Sequence, residues 1–65
     1  MNNEQEITEL RNVIINFTRI LNDNIYALST ETDEIQILNF RSIISFYENQ
    51  IIILENKLGC LNNSF

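Results

Sequence analysis

The sequence has no histidine, no proline and no tryptophan, and it holds one glycine, one cysteine and one lysine. Without histidine, and with Cys60 as the only thiol, the usual zinc-ligand sets cannot be assembled, and no disulfide can close within one chain. The same scarcity removes the commonest general bases and nucleophiles, and Gly59 alone cannot make a glycine-rich loop to cradle phosphate. A protein without enzymatic activity, metal or organic cofactor is expected. The longest unbroken apolar run is Ile51 to Leu54, far short of the roughly 20 residues that span a bilayer, so no membrane partner is expected. Met1 to Glu6 is polar and acidic, unlike the basic and then apolar pattern of a secretory signal, and a cytoplasmic location follows as the expectation.

Positive charge is scarce too. Nine acidic residues against four basic ones give a net charge of −5, which repels nucleic-acid phosphates and anionic lipid alike. Direct nucleic-acid binding is therefore not expected. Isoleucine (12 copies) and asparagine (11 copies) have A/T-rich codons, as lysine has, yet lysine occurs once. That bias fits an AT-rich genome in which this protein's negative charge is favoured, as in phage and mobile elements of low-GC bacteria.

What the sequence does have is helical periodicity. At 65 residues the chain is expected to form one domain, near the lower limit at which a single core holds a fold. The only internal cluster of small polar and acidic residues runs from Ser29 to Glu34, which predicts one break. Asn3 and Glu6 have capping-box spacing, and from there Ile7, Leu10, Ile14, Phe17, Leu21 and Leu28 recur at alternating intervals of three and four, with Asn24 in the remaining seam position. Val13, Ile20 and Ala27 widen the stripe on one side, as a bundle requires. Thr30 with Asp33 offers a second capping pair, and Glu31, Asp33 and Glu34 place negative charge at the positive end of the next helix dipole. Beyond it, Ile37, Ile44, Ile51 and Leu58 fill one heptad position and Phe40, Tyr47, Leu54 and Leu61 the other. Lys57 and Gly59 suit a helix C-terminus.

These signals predict an all-α fold, an antiparallel two-helix hairpin that dimerises into a four-helix bundle. Its first helix covers about 4–28, the turn 29–32, the second helix about 32–58 and a frayed tail 60–65. Isoleucine-rich stretches such as Ile35 to Phe40 also suit strands, but two long segments free of glycine and proline match the helical period far better than an alternation of two.

The second helix has more apolar surface than one neighbour can cover. Besides its seam it carries Ile35, Leu38, Ile43, Phe46, Ile52 and Ile53, and of these Ile35, Leu38, Phe46 and Ile53 lie largely away from the stripe that meets the first helix. Burying a large apolar side chain stabilises by roughly 1.5 to 3 kcal/mol, so leaving four exposed forfeits several kcal/mol. This second face is expected either to form the core of a homodimer or to receive a different protein.

Other features have plainer readings. Glu6 with Glu9, and Glu48 with Glu55, are helix-spaced acids with nothing to orient them, and solvated surface accounts for them. Asn24 in the seam is expected to fix register through a buried partner, and Tyr47 needs one for its hydroxyl unless that group reaches the bundle edge. Cys60 could cross-link two chains, but in a reducing cytoplasm it is expected to be a free thiol. The acids carry one sharper possibility, since Glu4, Glu6 and Glu9 fall at one end of the hairpin and Asp23, Glu31, Asp33 and Glu34 at the other. Such an array imitates DNA phosphates and would occupy the basic site of a repressor or a DNA-binding enzyme. The competing reading is a solubility shell.

Two long helices joined by a short turn resemble in architecture the Rop family of plasmid RNA-binding proteins, which implies a dimeric four-helix bundle. The basic face that family uses has no counterpart here, where the first helix offers only Arg11 and Arg19. The small helical-hairpin phosphatases of sporulation control are similar in size, but their Ser-Gln-Glu-Leu-Asp motif does not occur. Phe40 to Glu48 is similar in pattern to the second helix of small acidic Bacillus anti-repressors. The functional expectation is a small acidic interaction module that regulates or inhibits a partner protein, with the acidic nucleic-acid mimic as the alternative.

Overall fold

The computed structural model describes residues 3–62, which form two helices and the turn between them. Helix α1 spans Asn3–Thr30 and helix α2 spans Glu34–Asn62, with 28 and 29 residues. Three connecting residues cannot carry the chain back along a helix of about 42 Å, so the two helices, which pack against each other, run antiparallel. The result is a rod of 49 × 14 × 13 Å. No strand occurs among the described residues.

The turn differs from the expected one by about two residues, for a local reason. The Thr30 hydroxyl donates back to the Ala27 carbonyl (3.2 Å) and Ser29 to that of Tyr26 (2.6 Å), so both residues finish α1 instead of lying in the turn. The Glu31 N–H donates to the Leu28 carbonyl (3.2 Å), and its carboxylate accepts from the N–H groups of Thr32 (3.1 Å) and Asp33 (3.0 Å). Asp33 then caps α2. Its carboxylate accepts from the Ile35 N–H (3.1 Å), and its carbonyl accepts the first helical bond, from the Ile37 N–H (2.9 Å). Thr30 therefore plays no part in capping α2, which starts at Glu34 instead of about Thr32. Asp33→Ala should cost about 1 kcal/mol per chain and lower the thermal midpoint by several degrees, read by circular dichroism.

The other end of α2 departs from expectation as well. Gly59 has no left-handed conformation, and the helix continues through Cys60 to Asn62, while residues 63–65 of the expected frayed tail lie outside the described residues. Continuing one turn keeps Leu61 half-buried in the seam, which outweighs the roughly 1 kcal/mol that glycine costs inside a helix. A Cβ at this position would meet nothing within 4 Å. Gly59→Ala should therefore stabilise the protein by about 0.5 to 1 kcal/mol, visible as a higher urea midpoint.

Between the helices the seam has the expected members. Ile7, Leu10, Ile14, Phe17, Leu21 and Leu28 of α1 are half-buried, as are Ile37, Phe40, Ile44, Tyr47, Ile51, Leu54, Leu58 and Leu61 of α2. Phe17 and Tyr47 meet edge to face, with ring centroids 5.1 Å apart and an interplanar angle of 79°, an arrangement that adds about 0.5 to 1.5 kcal/mol beyond area burial. Asn24 sits in the seam half-buried, but its amide donates to the Ile20 carbonyl of its own helix (2.8 Å). That bond satisfies a donor locally and does not tie the two helices together, so the expected register-fixing role across the seam is not realised there.

No described residue is fully buried, seam included. Two helices side by side cover one stripe each and leave water on both flanks of it. The molecular surface is 4968 Å², against about 4,300 Å² for a compact protein of 7.7 kDa. The radius of gyration is 15.0 Å, against about 11 Å for a compact domain of this length.

Candidate interaction surface

The residues expected to form the second apolar face of α2 all point outward. Ile35 is 68% exposed, Leu38 62%, Phe46 54% and Ile53 57%. Ile52, at 55%, belongs with them, an addition to the four residues expected from the sequence. The signal was present, since Ile52 lies two heptads after Leu38 and so shares its position on the helix. Phe46 also sets its ring edge-on to Tyr47, with centroids 5.3 Å apart, which connects the outer face to the seam.

Charge makes this face unusual. The five charged residues of α2, namely Glu34, Arg41, Glu48, Glu55 and Lys57, all occupy positions beside the seam. The remaining outward positions from Ile35 to Cys60 hold apolar residues, serine, asparagine, glycine and cysteine, and none is charged. Helix α1 is the opposite case. Its outward side carries Asn12, Asn16, Arg19 and Asp23, interrupted by Ile15 and Tyr26. A helix apolar on one stripe suits a surface, whereas one apolar nearly all round suits an interior.

Most of the acidic residues lie exposed toward the two ends of the rod. Glu4, Glu6 and Glu9 are near the open end, and Asp23, Asp33 and Glu34 near the turn, while Glu31 is half-buried. Two of the seven are committed to the chain itself, because Glu31 braces the turn and Asp33 caps α2. At the open end Glu9 accepts from the Gln5 side chain one turn away (3.2 Å).

Chemistry-bearing sites are sparse. No group of three or more potential metal ligands occurs among the described residues, and Cys60 is a free, exposed thiol. A shallow, open hollow of about 430 Å³ is lined by Leu21, Glu48, Asn49, Ile51 and Ile52, and gathers no acid, base and nucleophile together. Among the described residues no helix is long and apolar enough to cross a membrane. In comparison with known proteins, the chain matches no family model, no curated protein and no solved structure.

Proposed function

We propose that the protein is a small acidic, non-enzymatic protein–protein interaction module that acts as a homodimer, its two hairpins forming a four-helix bundle, and regulates or inhibits a partner protein in the cytoplasm. One observation carries this reading: the hairpin alone buries no described residue, yet presents a long apolar and uncharged face on α2. Large apolar side chains exposed on one side of a helix with no charge among them favour a site of association. Light scattering at micromolar concentration tests the first half, with an expected mass near 15 kDa, twice that of one chain. A single species of 7.7 kDa would remove the dimer.

The partner contact is read by capture from the native host at low and high salt. Binding that persists at high ionic strength rests on apolar contact, as the uncharged face favours. The alternative, an acidic nucleic-acid mimic, has in its favour the exposed carboxylates of Glu4, Glu6, Glu9, Asp23 and Glu34. Mimicry requires binding that falls steeply as salt rises and that competes with DNA for a basic protein.

A further inference from the structure

The two flanks of the hairpin differ in charge. Because α1 and α2 are antiparallel and share one seam register, the residue just before each first seam position lies on the same flank in both helices. The residue just after each second seam position lies on the other. The first flank holds Val13, Ile20 and Ala27 of α1 beside Ile43 and Gln50 of α2, and it is adjoined by Phe46 and Ile53 from α2 and by Asn16 and Asp23 from α1. Its charges, Glu6 and Lys57, are confined to the open end, which leaves it uncharged over at least about 20 Å. The second flank places Arg11, Thr18 and Ile25 beside Arg41, Glu48 and Glu55.

We propose that the uncharged flank receives a second copy of this chain through a two-fold contact in which the patch meets itself. The assignment rests on the dimer proposed above and specifies its geometry. In an isologous contact each surface must complement itself, and two chains of net charge −5 approach best through a region that carries no charge. Docking through the other flank would strip water from Arg11, Arg41, Glu48 and Glu55. A basic foreign protein would find only Asp23, at the border of the uncharged flank, to pair with over that stretch, so the better complement is another uncharged surface, and this chain supplies one.

Exposure supports the same flank. Val13 at 36%, Ile20 at 37% and Ile43 at 38% are the least exposed of the large apolar side chains left open, each already covered on its seam side. Bundle helices fill their core from the two seam positions plus one flanking position, and here that position is mainly apolar on the first flank and, Ile25 apart, polar or charged on the second. The area also agrees. Two separate hairpins of 4968 Å² each expose about 2,700 Å² more than a compact protein of their joint mass, within the range buried by obligate homodimers. Leu38 and Ile52, on the far side of α2, stay outside this contact.

Thiol labelling in a Cys60→Ser background tests the flank without disturbing the seam. Gln50→Cys lies on the uncharged flank and Glu48→Cys on the charged one. In the dimer the former should react at about a tenth of the latter's rate or below, whereas the half-burial of Gln50 within a lone hairpin accounts for only about twofold. In parallel, Ile43→Glu should reduce the mass to that of one chain, and Leu38→Glu should leave the dimer intact. If Ile43→Glu unfolds, the labelling ratio decides. A dimeric mass with similar labelling rates at the two sites overturns the flank and leaves the dimer standing, whereas a monomeric unmodified chain overturns the dimer itself.

Discussion

Phe17→Ala is expected to destabilise the protein by about 3 kcal/mol and to leave a large fraction of the chain without helix at room temperature and low micromolar concentration. Phe17 is in the middle of α1, where its ring meets Tyr47 edge-on at 5.1 Å, the ring contact that joins the two helices among the described residues. Truncation removes the area buried by the larger ring and the geometric term of the pair together. A chain of this length has about 3 to 10 kcal/mol of stability in all, so one such loss takes away a third or more of it. Helices of 28 and 29 residues are not maintained by propensity alone in a sequence with this many β-branched isoleucines, and separating them melts them. Ile15→Ala provides the contrast. Ile15 is 57% exposed on the outward side of α1, and its replacement should change stability by no more than about 0.5 kcal/mol. Urea denaturation followed at 222 nm checks both. Equal midpoints for the two variants would show that the seam does not hold the hairpin together.

The seam was legible because helical packing leaves a periodic trace. Ile37, Ile44, Ile51 and Leu58 repeat every seven residues, and each is half-buried in the hairpin. The surplus face was legible for the same reason, since Ile35, Leu38, Phe46 and Ile53 fall outside that period and are all more than half exposed. Termini were harder to place. Capping depends on which of several adjacent side chains reaches which N–H, and Ser29, Thr30, Glu31 and Asp33 are all able to do so. Thr30 and Asp33 have capping-pair spacing, but the Thr30 hydroxyl turns back to Ala27 and the Glu31 carboxylate takes two N–H groups of the turn. Gly59 misled in a similar way. Its local preference favours a helix end, while Leu61 one half-turn later belongs to the seam, and burial prevailed over preference.

Asn24 illustrates a different limit. Its place in the heptad was plain, but an amide can bond to a facing helix or to the carbonyl four residues back, and sequence spacing does not distinguish them. The flanks were half legible. Val13, Ile20 and Ala27 stood out as a broadening of one stripe, yet which residues of α2 join them depends on the antiparallel pairing and emerges only when both helices are in place. Function left the least trace, because an exposed surface of isoleucine, leucine and phenylalanine carries no chemical signature of a ligand or partner.

Dilution separates a self-sufficient hairpin from an obligate dimer more decisively than any single substitution. A lone hairpin melts at one temperature at every concentration, since folding is then unimolecular. If folding and association are one process, each tenfold dilution removes about 1.4 kcal/mol per dimer. Unfolding entropy near 2.1 cal/mol/K per residue, taken over two chains, converts that into a fall of about 5 °C in the thermal midpoint. From 1 mM to 1 μM the midpoint should drop by about 15 °C, measured by circular dichroism in cells of different path length. Salt acts on the same equilibrium, because two chains of net charge −5 repel each other and screening weakens that repulsion. The midpoint at a fixed concentration should therefore rise with ionic strength. A midpoint independent of concentration would mean that the uncharged flank, with Phe46 and Ile53 beside it, is exposed in solution as it is in the isolated hairpin. The apolar surplus would then have to be covered by a foreign protein, and that partner would account for the whole of the missing core.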